Sequence, residues 1–253
     1  MILKKINQKE VRKMLIDVHF HPDFYKESEL KNLKFENVVA IANSINAKTH
    51  EIIISFSKQH KNCFFALGVY PEFATSEELL ILDEYLRKNN DVIAIGEVGL
   101  DKTYENFENQ LIIFKEIIKL SKRYDLPLIV HSRKAEKETT ELLIEEKPKA
   151  IMHYFNGKFK LALDLQKNGF FLTIPSNVII NQHFQKFVNE LDLNFLLPET
   201  DSPFLHPLKQ WPNYPENVKY AYDYVSKVKQ ISKKEIECIF VKNFEKFFKR
   251  KIS

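Results

Sequence analysis

Cysteine is nearly absent from this chain, and so are the features that mark a secreted or membrane protein. Cys63 and Cys238 are too few, and too ordinary in spacing, for a disulfide framework or a thiolate metal site. No apolar run approaches the roughly 20 residues that cross a bilayer. The opening Met1-Ile-Leu-Lys-Lys turns polar at once, unlike a secretory leader. Five glycines and ten prolines in 253 residues exclude low-complexity sequence and long flexible linkers. The expectation is a soluble cytoplasmic protein with no membrane partner. Neither sign of charge dominates: the net charge of +4 favours anionic partners only weakly. The basic excess gathers near the C-terminus, from Lys227 to Lys251, where Ile236, Ile239, Phe240, Phe244 and Phe247 recur at helical spacing. That stripe is expected to pack on the body of the protein, leaving the lysines as a solvated face rather than a nucleic-acid surface.

Apolar residues, by contrast, are plentiful. Hydrophobic residues make up 44% of the chain, with 21 Phe, ample for the core of one large α/β domain. Eight short β-type runs stand out: LIDVH (15–19), NVVAIAN (37–43), CFFALGV (63–69), DVIAIG (91–96), LPLIVH (126–131), KAIMH (149–153), GFFLTI (169–174) and NFLLPE (194–199). Most are continuously apolar, as parallel strands buried on both faces are. Helical segments lie between them, the clearest at 76–89, 105–124, 134–147 and 159–169. Ser76 is the expected N-cap of the first, with Glu77 and Glu78 suiting its dipole. Less regular segments at 181–191 and 216–229 have helical length, and a last helix is expected over 233–248. Eight strands alternating with helices imply a (β/α)8 TIM barrel, whose functional residues lie at the C-terminal ends of the strands. We expect one barrel domain over 14–253, preceded by a peripheral extension, 1–13, with Met14 as a candidate true start.

Five of the eight runs end in, or just before, an imidazole or a carboxylate. His19 and His21 close the first run, Glu97 follows the fourth, His131 and His153 close the fifth and sixth, and Asp201 follows the eighth. Each has an ordinary explanation by itself. A lone histidine at a strand end is usually satisfied by a backbone hydrogen bond, and Glu97 could be a solvated loop residue. Together the explanation changes, because an open sheet would scatter these strand ends whereas a closed barrel brings them to one mouth. Imidazoles and carboxylates suit Zn²⁺, Mn²⁺ or Mg²⁺, and six such groups can hold two ions through a shared carboxylate. Asp101 and Glu199 compete with Asp201 for a functional role, and Glu199 could equally be an outer partner. His206 is a candidate for the outer shell, while His50, His60 and His183 lie on helix-like segments and are assigned no role.

The motifs LIDVHFH, GVYP, IGEVGLD, Gln110, LPLIVHSR, HYFNG, ETDSPFL and Asn243-Phe244, in this order, resemble those of the TatD-type metal-dependent hydrolases. The resemblance runs from Met14 nearly to the C-terminus. GEVGLD, HSR and ETDSP together are quite specific. It implies an amidohydrolase-like TIM barrel with two divalent metal ions (Mg, Mn or Zn). His19 and His21 would bind one ion, His131 and His153 the other, Glu97 would bridge both, and Asp201 would sit on the first beside the attacking water and take its proton. The implied activity is phosphodiester hydrolysis in DNA, expected on single-stranded or end-frayed substrate and exonucleolytic. Arg133 is placed to bind phosphate through its planar fork, with Lys158 a second candidate. Some members of the family act instead on aminoacyl-tRNA, which keeps an ester hydrolase open. A weakly catalytic nucleic-acid-binding protein is a third reading. This chain also departs from the family pattern. Gly-x-His-Pro after the third strand is here Gly68-Val69-Tyr70-Pro71, so Tyr70 stands where a substrate-side histidine is expected. The late Asn-Glu-Pro corresponds to Asn213-Tyr214-Pro215, with the acid displaced to Glu216.

Overall fold

The computed structural model describes residues 14–252; the expected peripheral extension 1–13 lies outside the described residues. Eight strands form one sheet in chain order, every neighbouring pair parallel: β1 (Leu15–Phe20), β2 (Val38–Asn43), β3 (Cys63–Leu67), β4 (Ala94–Asp101), β5 (Leu128–Arg133), β6 (Ala150–Met152), β7 (Phe171–Pro175) and β8 (Leu196–Glu199). The helices among the described residues are α1 (Glu27–Leu30), α2 (Ala47–Lys58), α3 (Ser76–Lys88), α4 (Phe107–Tyr124), α5 (Glu136–Glu146), α6 (Phe159–Lys167), α7 (Gln182–Glu190), α8 (Lys219–Lys229) and α9 (Lys233–Phe248). This is the (β/α)8 architecture. None of these helices is long and apolar enough to cross a membrane.

The ring closes between β1 and β8 with help from side chains. The Asp201 amide donates to the His19 carbonyl (2.9 Å) and the His21 amide to the Ser202 carbonyl (2.8 Å). Below them the buried carboxylate of Asp17 accepts from the Thr200 amide (2.8 Å) and hydroxyl (2.5 Å). An acid inside a buried strand is costly unless its oxygens are satisfied. Here they hold the seam, and with it the residues on either side that carry the chemistry. Burial pushes the Asp17 carboxyl well above the usual carboxylate range.

The barrel interior is filled by Ile16, Val18, Ile41, Ala66, Ala94, Ile129, Ile151 and Leu197, and these pack against Phe244, Phe247 and Phe248 of α9. The apolar stripe of the C-terminal helix therefore plugs the N-terminal mouth of the barrel. Phe247 lies 4.8 Å from Phe171, centroid to centroid, and Asn243 donates to the carbonyls of Leu193 (2.7 Å) and Leu196 (2.9 Å). With that end sealed, the C-terminal mouth is the open one. α3 starts at Ser76, one residue earlier than expected: Thr75, not Ser76, caps it by accepting from the Glu78 amide. β4 is the strand that differs most from expectation. It runs past 96 through Glu97-Val-Gly-Leu-Asp101, because Val98–Asp101 pair with Val130–Arg133. Gly99 permits this close approach: its φ is +143°, and a Cβ there would lie 2.0 Å from the His131 carbonyl oxygen.

Candidate metal centre

His19, His21, Glu97, His131, His153 and Asp201 meet at the open mouth. Glu97 lies at the middle and faces two ways. Its Oε2 is 3.3 Å from His21 Nε2 and 3.5 Å from His19 Nε2, while its Oε1 is 2.8 Å from His131 Nδ1 and 4.0 Å from His153 Nε2. Asp201 Oδ1 lies 3.6 Å from His21 Nε2, 3.7 Å from His19 Nε2 and 4.0 Å from His153 Nε2. Two groups have their ligand atoms within 4.8 Å of one another, His19–His21–Asp201 and His19–Glu97–His153. Two clusters of this composition are what a two-ion site requires.

The hydrogen bonds behind the rings show why these donors fit a cation. His21 Nδ1 is 3.1 Å from the Asn43 carbonyl, which can only accept, so its proton is on Nδ1 and Nε2 offers a lone pair. His153 Nδ1 faces Glu199 Oε2 at 2.7 Å with the same consequence. His131 turns its Nε2 toward Asp101 Oδ2 at 3.3 Å, leaving Nδ1 for Glu97. A carboxylate or carbonyl behind a ligating imidazole fixes its tautomer and raises its basicity. His19 Nε2 and His21 Nε2 lie 2.9 Å apart, close enough to share a proton or to face one cation.

Without metal, protons supply that charge. Burial alone would lower His21 and His153, but hydrogen bonding to and the charge of Glu97 hold His21 up at about 9, and Glu199 holds His153 up at about 10. Burial would raise Glu97, yet hydrogen bonds from His131, His19 and His21 keep it well below the usual range. His19 is pushed well below 6.5, first by burial and then by the neighbouring charge of His153. Burial lifts Asp201 to about 6 against the pull of His153 and His21, so it is ionised at neutral pH but close to accepting a proton. The backbone of Asp201 is left-handed, φ +53°, an unfavoured conformation held by the seam bond to His19.

A cavity of about 620 Å³ opens over this centre. Arg133 and Tyr70 line it, as do Phe24, Glu72, Tyr104, Tyr154, Asn156 and Phe204. The Tyr70 hydroxyl is 3.3 Å from His131 Nε2 and 3.4 Å from Asp101 Oδ2, so it touches the group behind a candidate ligand as well as the cleft. Lys158 is not brought in. It is the exposed N-cap residue of α6, and Tyr154 and Asn156, earlier in the same loop, take the place on the wall. His206 does not reach the centre either: its Nδ1 accepts from the Leu208 amide (3.0 Å) and its Nε2 is 3.3 Å from Asn217 Nδ2, so both nitrogens serve its own loop. Asn213 clamps that loop, donating to the Thr200 carbonyl (3.1 Å) just before Asp201.

Several contributors escaped the reading of the sequence. Asp17 was legible in principle, as an acid inside an apolar run. Asp101 was weighed only as a rival to Asp201, yet its Oδ2 backs His131, its Oδ1 accepts from the Thr103 amide and hydroxyl, and Gln110 grips its backbone at both amide and carbonyl. His50, assigned no role, is buried and bonded to Ser44 Oγ (2.9 Å), and the Ser44 carbonyl accepts from the Glu97 amide (2.9 Å).

Comparison with known proteins gives a consistent result. The family model TatD related DNase matches residues 16–249. The chain is 35% identical to deoxyribonuclease TATDN3 of Homo sapiens, over 92% of this chain and 94% of that protein. It is 31% identical to an uncharacterized metal-dependent hydrolase of Methanocaldococcus jannaschii, over 94% of this chain and 98% of the relative. Among solved structures, the TatD homolog YjjV of Escherichia coli superposes with a TM-score of 0.85 at 25% identity, covering 93% of this chain and 98% of that one.

Proposed function

Because the chain belongs to the TatD related DNase family, and is a metal-dependent hydrolase, we propose that it hydrolyses phosphodiester bonds in DNA, acting on single-stranded or frayed ends and removing nucleotides exonucleolytically. The observation that carries this reading is the two-sided contact of Glu97, one oxygen toward His19 and His21, the other toward His131 and His153. We assign His19, His21 and Asp201 to one ion, His131 and His153 to the other, and Glu97 to both. When bound, such ions make water acidic near neutral pH and offset charge on a phosphate.

The chain's own residues do the rest. Asn43, Glu199 and Asp101 hold three imidazoles in the tautomer that presents a lone pair. Asp201 accepts the proton of the attacking water at Oδ2, the oxygen not turned to the histidines, with a pKa lifted by burial into the range of an effective base. Arg133, on the rim of the cleft, orients the diester through paired N–H groups. Tyr70 supplies a neutral hydroxyl where the family pattern has a histidine. The two free thiols, one of them exposed at Cys238, suit a reducing compartment and agree with a cytoplasmic location.

One observation favours a second reading. Glu72 and Tyr70 line the cleft, and a carboxylate with a phenol welcomes a substrate ammonium better than a second phosphate. A carboxylic ester such as the aminoacyl bond of charged tRNA is therefore the alternative. End-labelled single-stranded DNA and charged tRNA, each with Mg²⁺, Mn²⁺ and Zn²⁺, separate the two. The DNA should shorten one nucleotide at a time. Deacylation of tRNA with the DNA left intact would move the assignment to the ester.

A further inference from the structure

We propose that Phe24, Phe204 and Trp211 form a stacking wall that receives the unpaired nucleobases next to the diester held at the metal centre; the inference rests on the DNA reading above. Phe24 and Phe204 line the cavity and reach inward to His21, with ring centroids 5.6 Å and 6.4 Å from the imidazole. From there the aromatic surface continues outward without a break: Phe24 to Phe204 is 5.2 Å, and Phe204 to Trp211 is 5.8 Å. Phe24 is 44% exposed, Trp211 57% and the neighbouring Leu208 52%. Large apolar rings left open beside a cleft mark an interaction site.

The loop that carries Trp211 is not loose. The Asn213 amide donates to the Pro203 carbonyl (2.8 Å), the Phe204 amide to the Asp201 carbonyl (2.9 Å), and the Lys209 amide to the His206 carbonyl (2.9 Å). The ring of Trp211 is thus held out in solvent by a braced loop that begins at Asp201 itself. Lys209, exposed in the same loop and in no ion pair among the described residues, offers positive charge beside the rings. Aromatic rings interleaved with a cation along a cleft are what an unpaired strand requires: each base has a face to stack, and the phosphates track the charge. A paired base has both faces covered by its neighbours, so the wall also gives a physical reason for preferring single strands.

Trp211 is the single tryptophan of the chain, so its fluorescence reports the wall alone. The Mg²⁺-loaded full-length protein is titrated with a phosphorothioate oligothymidylate, whose linkages slow cleavage, and with an abasic oligomer of the same length and charge. The oligothymidylate should quench the emission to saturation and the abasic oligomer should not. Trp211→Ala should weaken binding of the oligothymidylate on the order of tenfold, as expected for loss of one stacked base, with the loss in KM rather than kcat, and Trp211→Phe should recover most of it. If DNA is cleaved normally but the emission does not change and Trp211→Ala keeps the wild-type KM, the wall is refuted and the DNA reading stands. Equal quenching by the abasic oligomer also refutes stacking. A metal-loaded wild type that neither binds nor cleaves the oligomer overturns both.

Discussion

Glu199→Gln changes a buried carboxylate by a single atom, and the structure says what that atom does. Both oxygens of Glu199 are acceptors: Oε2 takes the His153 Nδ1 proton at 2.7 Å, and Oε1 takes the Tyr154 amide at 3.0 Å. A glutamine has one oxygen and one NH₂, so it can satisfy only one of the two donors. The Tyr154 amide has another partner in Thr173 Oγ1, at 2.9 Å, and the oxygen will therefore turn to His153. The tautomer survives, but the NH₂ is pressed against the Tyr154 amide and the imidazole loses the negative charge behind it. Carboxylate partners of metal-binding histidines are worth roughly 10–100-fold in affinity, or about 1.4–2.7 kcal/mol. The loss should fall on the ion assigned to His131 and His153 and spare the one assigned to His19, His21 and Asp201. Calorimetric titration of the metal-free variant with Mn²⁺ should show one site weakened by that factor and one nearly unchanged. Two unaltered sites would show that the carboxylate behind His153 has no bearing on metal.

The pH dependence of the metal-free protein follows from the raised imidazoles. His21 and His153 stand near 9 and 10 in the folded state against 6.5 for the free side chain, so their contribution to stability is complete below about 6.5 and is lost as pH rises through 9 to 10. Denaturation midpoints of the metal-free protein should therefore fall across that window, and saturating Mg²⁺ or Mn²⁺ should reverse the fall. A metal-free midpoint flat from pH 6.5 to 10 would contradict it. At the other end of the barrel, Phe244→Ala removes a fully buried ring from the plug formed by α9 and should cost about 3–5 kcal/mol in urea denaturation. A loss below about 1 kcal/mol would mean that this helix does not seal the barrel.

The barrel was legible because parallel strands buried on both faces leave unbroken apolar runs, and all eight such runs became strands. The ends were less legible where tertiary pairing overrides local pattern. GEVGLD reads as a loop after 96, but β4 continues through it because Gly99 lets the strand lie against His131. The run from 194 starts as a 3-10 turn, Leu193–Phe195, before β8 begins at Leu196. The convergence of six strand-end groups was readable once closure was assumed, since position along a strand fixes height in the barrel. What stands behind them was readable only in part: Glu199, open as an outer partner, does back His153. Asp101, Asn43 and the seam acid Asp17 act through neighbours distant in sequence, Asp17 and Thr200 being 183 residues apart. Lys158 shows the opposite error: proximity in sequence to HYFNG did not bring its side chain to the cleft, because α6 begins there and leaves it exposed.

If Glu97 joins two ions in one site, equilibrium metal titration of the metal-free protein, followed by elemental analysis, will count them. The wild type should take up two divalent ions per chain. Glu97→Gln should weaken both, because the two oxygens of Glu97 face the two halves of the site. A wild type that takes up one ion or none, or a Glu97→Gln protein that keeps two at wild-type affinity, would show that Glu97 does not join two ions.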